Sequence, residues 1–211
     1  MKYFEIILSF LLFSVLYLIS PDTNSYARGQ QALSICSSNQ DLNNNQSIPV
    51  SLHSNVKTLA NKLIYDNSLF NITITCPNNW EIREGNDSNI VVEFLSQPYN
   101  LYNSNRSALG VYVQDLFEMN STLGLKTLDD YSKIMMDVIR NGSSDEIKPK
   151  SSSIDNNLAY KVVYNDKGSM VFQEWTVKNN KAYMLLYLSD LKEYDKDYLY
   201  MNRVLESFTI R

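Results

Sequence analysis

Residues 69–82 of this chain read LFNITITCPNNWEI, and this stretch carries the clearest fold signal in the sequence. From Leu69 to Cys76, apolar and polar residues alternate, which is typical of a half-buried β-strand. Pro77 cannot donate a hydrogen bond to a sheet, so it predicts the point where the strand leaves its neighbour. Trp80 is predicted to turn back and cover an end of the sheet. A structural role is favoured for this motif, with a ligand-contacting aromatic ring as the alternative.

The rest of the chain predicts more strands and two helices. A helical spacing of apolar residues runs over 128–139, and Thr127 with Asp130 forms a capping-box-like start. A second helical spacing runs from Tyr194 to Phe208. Short Asn- and Gly-containing links between the later strands predict hairpin turns. The further predicted strands are 90–95, 109–117, 158–164, 170–177 and 182–188.

This order of elements predicts an α+β fold with a central antiparallel β-sheet flanked by helices, an α/β/α sandwich. The composition also favours a sheet-rich domain. The chain has fifteen tyrosines and only six glycines, and tyrosine suits the half-buried, pleated positions of a sheet. With 44% hydrophobic residues the chain can build a full core.

Residues 1–27 are predicted to be a targeting segment. An apolar run from Ile6 to Ile19 follows Lys2, and Ser25-Tyr26-Ala27 offers small residues at a cleavage site. The run is short for a membrane span but normal for a signal peptide. A cleaved signal peptide is favoured over an uncleaved N-terminal anchor, and a buried helix is the third alternative. Either of the first two places the folded part outside the cytoplasm, secreted or tethered to the membrane.

Residues 28–62 are predicted to be a Ser/Asn-rich spacer, since the stretch SSNQDLNNNQS has few large apolar groups to bury. A short lead-in helix is predicted over 56–64. The domain proper is placed at 63–211.

Two cysteines, Cys36 and Cys76, form a candidate disulfide in an oxidising compartment. The bridge would tie the N-terminal tail to the first strand of the domain. Two unpaired thiols, with Cys76 acting as a small core residue, are the alternative. Asn-x-Ser/Thr sequons at Asn86, Asn105 and Asn141 are predicted glycan acceptors at loop positions.

The residue types needed for several chemistries are missing from the sequence. The net charge of −4 argues against a nucleic-acid-binding protein. His53 is the only histidine and lies before the predicted domain, which disfavours histidine-dependent hydrolysis and a zinc site. We therefore predict no enzyme, no catalytic residue, no cofactor and no metal site. The acidic residues before the last helix leave weak calcium binding as an alternative, namely Asp190, Glu193, Asp195 and Asp197.

Four motifs in the right order resemble the PsbP-like domain family. The alternation ending in Cys-Pro-x-x-Trp at 70–80 resembles its opening signature, and 157–161 (NLAYK) resembles a later strand start. Residues 174–183 (EWTVKNNKAY) resemble its central hairpin, and 205–208 (LESF) the end of its final helix. The chain departs from the usual pattern where Cys76 replaces a tyrosine and Asn157 a glycine.

The resemblance implies a sheet between helices and no general catalytic mechanism. Named family members are extrinsic subunits or assembly factors on photosynthetic membrane complexes, and related domains occur in prokaryotes without a photosystem. The resemblance therefore implies a non-enzymatic module that binds a protein partner, such as a membrane complex or a cell-surface component. Contact with a membrane is expected only through residues 1–27 or by docking. A small-ligand-binding or calcium-binding extracytoplasmic protein is the alternative.

Overall fold

The computed structural model describes residues 54–59, 61–85, 90–98, 106–117, 127–142, 147–166 and 168–211. The predicted targeting segment and most of the predicted spacer lie outside these residues. No helix within the described ranges is long and apolar enough to cross a membrane.

The described chain forms eleven strands and two α-helices. The first six strands are β1 (Ser54–Leu59), β2 (Lys62–Asn67), β3 (Ile72–Pro77), β4 (Glu81–Glu84), β5 (Ile90–Leu95) and β6 (Ala108–Asp115). Then come helix α1 (Leu128–Gly142) and strands β7 (Lys150–Ile154), β8 (Asn157–Asp166), β9 (Ser169–Lys178) and β10 (Lys181–Asp190). Helix α2 (Tyr194–Glu206) and strand β11 (Thr209–Ile210) close the chain.

These strands build two antiparallel sheets. A seven-stranded sheet has the order β4-β5-β6-β10-β9-β8-β7, and a four-stranded sheet has the order β1-β2-β3-β11. Two hairpin links place aspartate or asparagine at positive φ, namely Asp155-Asn156 and Asn179-Asn180, and both residue types tolerate this conformation. Strand β9 pairs antiparallel with both β8 and β10, which confirms the predicted meander of these three strands.

Strand β10 separates two hydrophobic cores. Its alternate residues Ala182, Met184 and Leu186 pack with α1 on one face. The residues between them, such as Leu185, face the other core, which contains β2, β3 and part of α2. This second face is thus covered chiefly by the four-stranded sheet, with α2 beside it. The predicted sandwich of one sheet between helices is wrong in this respect, because residues near 54–67 form strands and not a helix.

The lead-in helix over 56–64 is the clearest error of the sequence prediction. The segment instead forms most of the β1–β2 hairpin, in which Ser54 lies opposite Asn67. Leu63 and Tyr65 point into the core, as the period of two in a strand dictates. Ordered β structure therefore begins inside the segment predicted as a spacer, before residue 63.

Helix α1 begins as its sequence predicts. The backbone N–H of Asp130 donates to the Thr127 hydroxyl at 3.1 Å, and the N–H of Thr127 donates to the Asp130 carboxylate at 3.2 Å. The predicted capping box is confirmed. Its two reciprocal hydrogen bonds satisfy backbone donors that have no partner inside the helix.

The final helix ends at a serine that completes a sheet ladder. Ser207 Oγ accepts the backbone N–H of Thr75 at 2.9 Å. The hydroxyl proton of Ser207 has two carbonyls within reach, those of Thr75 at 3.1 Å and Val204 at 2.6 Å. The side chain therefore takes the place of a strand residue beside β3, just beyond the two-residue β11.

We expect Ser207→Ala to lower the free energy of unfolding by about 1–2 kcal/mol, because the Thr75 N–H loses its acceptor. Urea denaturation with a spectroscopic readout measures the change. Ser207→Thr keeps the hydroxyl and is expected to cost less. Equal stability of Ser207→Ala and the native chain would contradict this account.

Candidate interaction surface on helix α2

Helix α2 presents three large hydrophobic side chains to solvent, and two of them are more than half exposed. Its buried side chains Met201, Val204 and Leu205 pack against the sheets. Leu199 is 69% exposed and Tyr200 is 59% exposed, on the side of the helix that faces away from this core. Such exposure has no role in folding, and Tyr is enriched where proteins bind each other. We take this face as the candidate site.

A cluster of tyrosines and serines anchors the start of α2. The ring of half-buried Tyr194 lies between Tyr187 and Tyr198, with ring centroids 6.4 Å and 5.4 Å apart. The buried Tyr187 hydroxyl donates to Ser107 Oγ at 2.9 Å, which donates to Ser189 Oγ at 3.1 Å. Burial raises the pKa of Tyr194, and the neighbouring Tyr198 and Asp195 add to the rise. The contact between Tyr194 and Tyr187 therefore joins the first turn of α2 to β10.

The acidic residues before α2 are engaged in local contacts. Asp190 Oδ1 accepts the backbone N–H of Lys192 at 2.8 Å, and Glu193 pairs with Lys196 at 2.7 Å. No three metal-ligating side chains come together in the part of the chain that the structure describes. The side chain of Asp197 lies outside that part. The calcium alternative therefore gains no support from the described acidic side chains.

The Pro77–Trp80 junction has the predicted structural form. Strand β3 ends at Pro77, whose carbonyl accepts the backbone N–H of Trp80 at 3.1 Å. The Trp80 side chain is 5% exposed and packs in the core between the two sheets. This burial leaves almost no ring surface for a ligand. The predicted strand start is wrong, since Asn71 occupies a turn with φ of 55° and β3 begins at Ile72.

The disulfide and the glycan sites stay predictions. Cys76 is buried in β3, while Cys36 lies outside the described residues. Asn86 and Asn105 also lie outside them. Asn141 falls in the last turn of α1 and not in a loop, and its side chain is not among those described.

Other carboxylates that sequence reasoning considered have structural partners. Asp115 accepts the backbone N–H of Phe117 at 2.8 Å, and Asp129 accepts the Tyr160 hydroxyl at 3.0 Å. Sequence reasoning missed an ionic network on β4, where Glu81 binds both Arg83 at 2.8 Å and Arg106 at 2.6 Å. Burial alone would raise the pKa of Glu81, but the two arginines outweigh it and lower the pKa.

Sequence reasoning also missed Glu174, which is buried on β9. Burial raises the pKa of its carboxyl, and the nearby Ser152 hydroxyl and the charge of Lys161 offset only part of the rise. In the sequence, Glu174 occupies a position of the alternating strand that faces the core between the sheets. That position is the signal by which it could have been found.

We expect Glu174→Gln to flatten the pH dependence of stability. The folded pKa lies above the unfolded value of about 4.5, so the folded state binds more protons than the unfolded state. The contribution of this carboxyl to the free energy of unfolding is complete below about pH 4.5 and is lost as the pH rises through the folded pKa. Between pH 4.5 and 7 the variant should therefore lose less stability than the native chain, measured by urea denaturation across pH. Glu206→Gln, at the exposed end of α2, controls for the loss of one carboxylate; parallel curves for Glu174→Gln and the native chain would refute the assignment.

Solved structures with a similar fold were found by comparison. The solution structure of cyanobacterial PsbP (CyanoP) from Synechocystis has a TM-score of 0.53 at 14% identity, over 73% of this chain and 95% of that one. A protein of unknown function from Pseudomonas aeruginosa, PA94, has a TM-score of 0.46 at 10% identity, over 75% of this chain and 98% of that one. LpqN of Mycobacterium tuberculosis, involved in cell envelope biogenesis, has a TM-score of 0.43 at 11% identity, over 65% of this chain and 82% of that one.

Neither a family model nor a curated protein matches the sequence. The likeness to CyanoP nevertheless covers almost all of that structure, and it agrees with the motifs at 70–80 and 205–208. At this identity the likeness concerns the fold. The chain has a PsbP-like fold.

Proposed function

We propose that this chain is a non-enzymatic binding module that works outside the cytoplasm and docks on a protein partner. The partner is a subunit of a membrane complex or a component of the cell surface. The observation that carries the proposal is the exposure of Leu199 and Tyr200 on a helix that buries Met201, Val204 and Leu205. A surface with exposed apolar groups is what a docking site needs.

Three further observations support this function. The apolar run at 6–19 is typical of an export signal or an anchor, which supports a location of the domain outside the cytoplasm. The described carboxylates mostly serve caps, turns and ion pairs, which favours a binding role over catalysis. The PsbP-like fold is used by extrinsic subunits that attach to larger complexes, as the sequence motifs imply.

The test is cross-linking in intact cells with an amine-to-amine reagent, followed by purification of the full chain and mass spectrometry. The native chain is compared with Leu199→Ser/Tyr200→Ser, and with a control, Leu59→Ser/Leu158→Ser. The control residues have similar exposure, 64% and 60%, but lie on β1 and β8. Thermal unfolding verifies that all three chains fold.

We expect the α2 variant to recover at least about tenfold less of one reproducible partner, because losing a central contact costs about 1.4 kcal/mol or more. The control variant should recover as much as the native chain. Recovery of no partner by the native chain would refute the docking function. N-terminal sequencing of the mature protein, in the same preparation, decides between a cleaved signal and a retained anchor.

A further inference from the structure

We infer that strand β7 pairs with β7 of a second copy of this chain, so that the two seven-stranded sheets join across a twofold axis. In the part of the chain that the structure describes, β7 is an edge strand, paired on one side only, with β8. An edge strand offers its unpaired N–H and C=O groups to another strand. This surface is separate from α2, and the inference does not depend on the docking function.

The hairpin between β7 and β8 determines which backbone groups of β7 point outward. Ile154 lies opposite Asn157 across a two-residue turn. Residues that flank such a turn exchange both backbone hydrogen bonds, and hydrogen-bonded and non-hydrogen-bonded pairs then alternate along the two strands. Ser151 and Ser153 fall on the non-hydrogen-bonded pairs. Their N–H and C=O groups therefore point away from β8.

These outward groups select one symmetric register. An antiparallel pair centred on Ser152 places Ser151 of one copy opposite Ser153 of the second copy, and the reverse by symmetry. Each of these pairs can exchange both backbone hydrogen bonds, so every outward N–H and C=O of β7 finds a partner. A centre at Ser151 would instead bring Pro149 opposite Ser153, and proline has no N–H to donate.

The side chains of β7 are compatible with this register. Ser152 lies opposite Ser152 of the second copy, where the two strands are closest. Lys150 is the only charged residue of β7, and it lies opposite Ile154 of the second copy. Like charges therefore do not face each other between the two strands. The exposed Ser151 and Ser153 are small enough to let the backbones approach.

The other edge of each sheet resists such pairing. A β1 pair built by the same rule would be centred on Lys57, and two lysines directly opposite each other are destabilising. At β11, the N–H of Ile210 donates to the Asp155 carboxylate at 3.0 Å, and its C=O accepts from the Lys178 ammonium. Strand β4 has only four residues and three charges, and short, charged edges discourage pairing. Among the described edges, β7 is thus the best suited to a second copy.

A second copy fits this edge better than a flexible peptide does. A peptide that adds a strand loses conformational entropy at every residue that it orders, whereas β8 already holds β7 extended in both copies. Edges that bind peptides obtain their specificity from pockets for alternate side chains, and β7 offers a run of serines. Because a twofold pair uses the β7 edge of both copies, assembly through this edge stops at two.

The test is sedimentation velocity of the purified full chain over a range of concentrations. A pair of five-residue strands buries less than the about 1,200 Å² of stable interfaces, so we expect a reversible dimer that forms as the concentration rises. Ser153→Pro removes one outward N–H and no hydrogen bond to β8. The control is Thr58→Pro, because Thr58 precedes the closing residue of the β1–β2 turn as Ser153 precedes that of the β7–β8 turn.

We expect Ser153→Pro to raise the dissociation constant of the dimer at least about tenfold, since each copy loses a hydrogen bond, and Thr58→Pro to leave it unchanged. Thermal unfolding verifies that each variant folds. A native chain that stays monomeric up to about 1 mM would refute the inference.

Charge variants at the two exposed serines test the register without proline. In a dimer of Ser151→Lys/Ser153→Lys, or of Ser151→Glu/Ser153→Glu, like charges would lie opposite each other, so each variant alone should dimerise at least about tenfold more weakly. An equimolar mixture brings opposite charges together and should dimerise about as well as the native chain. If the single variants dimerise like the native chain, another surface joins the copies and the inference is wrong. The docking function of α2 stands or falls separately, by the cross-linking experiment.

Discussion

Replacing Trp175 with alanine is expected to lower the free energy of unfolding by about 3–5 kcal/mol. Trp175 is the largest of the fully buried side chains and belongs to the core between the seven-stranded sheet and α1. Its indole N–H donates to Ser132 Oγ at 2.8 Å, which joins β9 to the helix. The alanine substitution would both leave a cavity and remove this hydrogen bond.

Urea denaturation of Trp175→Ala and Trp175→Phe separates the two contributions. The phenylalanine variant keeps most of the ring but loses the hydrogen bond, so its cost is expected to be smaller. A loss of less than about 1 kcal/mol in Trp175→Ala would contradict the assigned packing, because buried aromatic truncations cost several times more.

Replacing Trp80 with alanine is expected to cost a similar 3–5 kcal/mol, on the other side of the seven-stranded sheet. Trp80 is buried in the core shared by the two sheets, where it follows the turn after Pro77. Truncation there would remove packing contacts in the core between the four-stranded and the seven-stranded sheet. Trp80→Phe is the matched control and is expected to cost less than the alanine variant.

The chain has only these two tryptophans, so each variant leaves a single tryptophan, in the opposite core, which can be excited selectively over the tyrosines. In Trp80→Ala the fluorescence of Trp175 reports the α1 core, and in Trp175→Ala that of Trp80 reports the core between the sheets. We expect each fluorescence transition to coincide with that of circular dichroism, since both cores share β10. Separate transitions would mean that the two cores unfold independently.

The elements with strong patterns were predictable from sequence. Strands β5, β6, β8, β9 and β10 and both helices lie where the periodicity placed them. The capping box at Thr127 and the Asn179-Asn180 turn were also predicted. In these segments the local preference and the tertiary fold agree, which is why local reasoning suffices.

The missed elements are short or polar. Strand β4 has four residues and carries three charges, and β7 is mostly serine, so neither shows a hydrophobic alternation. In β1 and β2, the apolar residues Val56, Leu59 and Leu63 happen to fit a helical spacing as well. Only pairing between the two strands, which depends on tertiary contacts, decides the outcome.

The candidate site could be recognised only in part. The helical spacing predicted one apolar side of α2, which consists of Tyr194, Tyr198, Met201, Leu205 and Phe208. Tyr198 is nevertheless 37% exposed, and Leu199 and Tyr200 fall off that spacing. Their exposure was therefore implicit in the sequence. That Glu206 accepts a hydrogen bond from the Asn202 amide depends on side-chain geometry, which no spacing rule gives.

The serine at the end of α2 also bears on how the protein avoids aggregation. A sheet edge with free N–H and C=O groups is a template on which another molecule can add a strand. Strand β11 covers only Thr73 and Ile72 of β3, and the Ser207 hydroxyl occupies the next place at Thr75. One side chain thus closes to other molecules the part of the β3 edge that the short final strand leaves open.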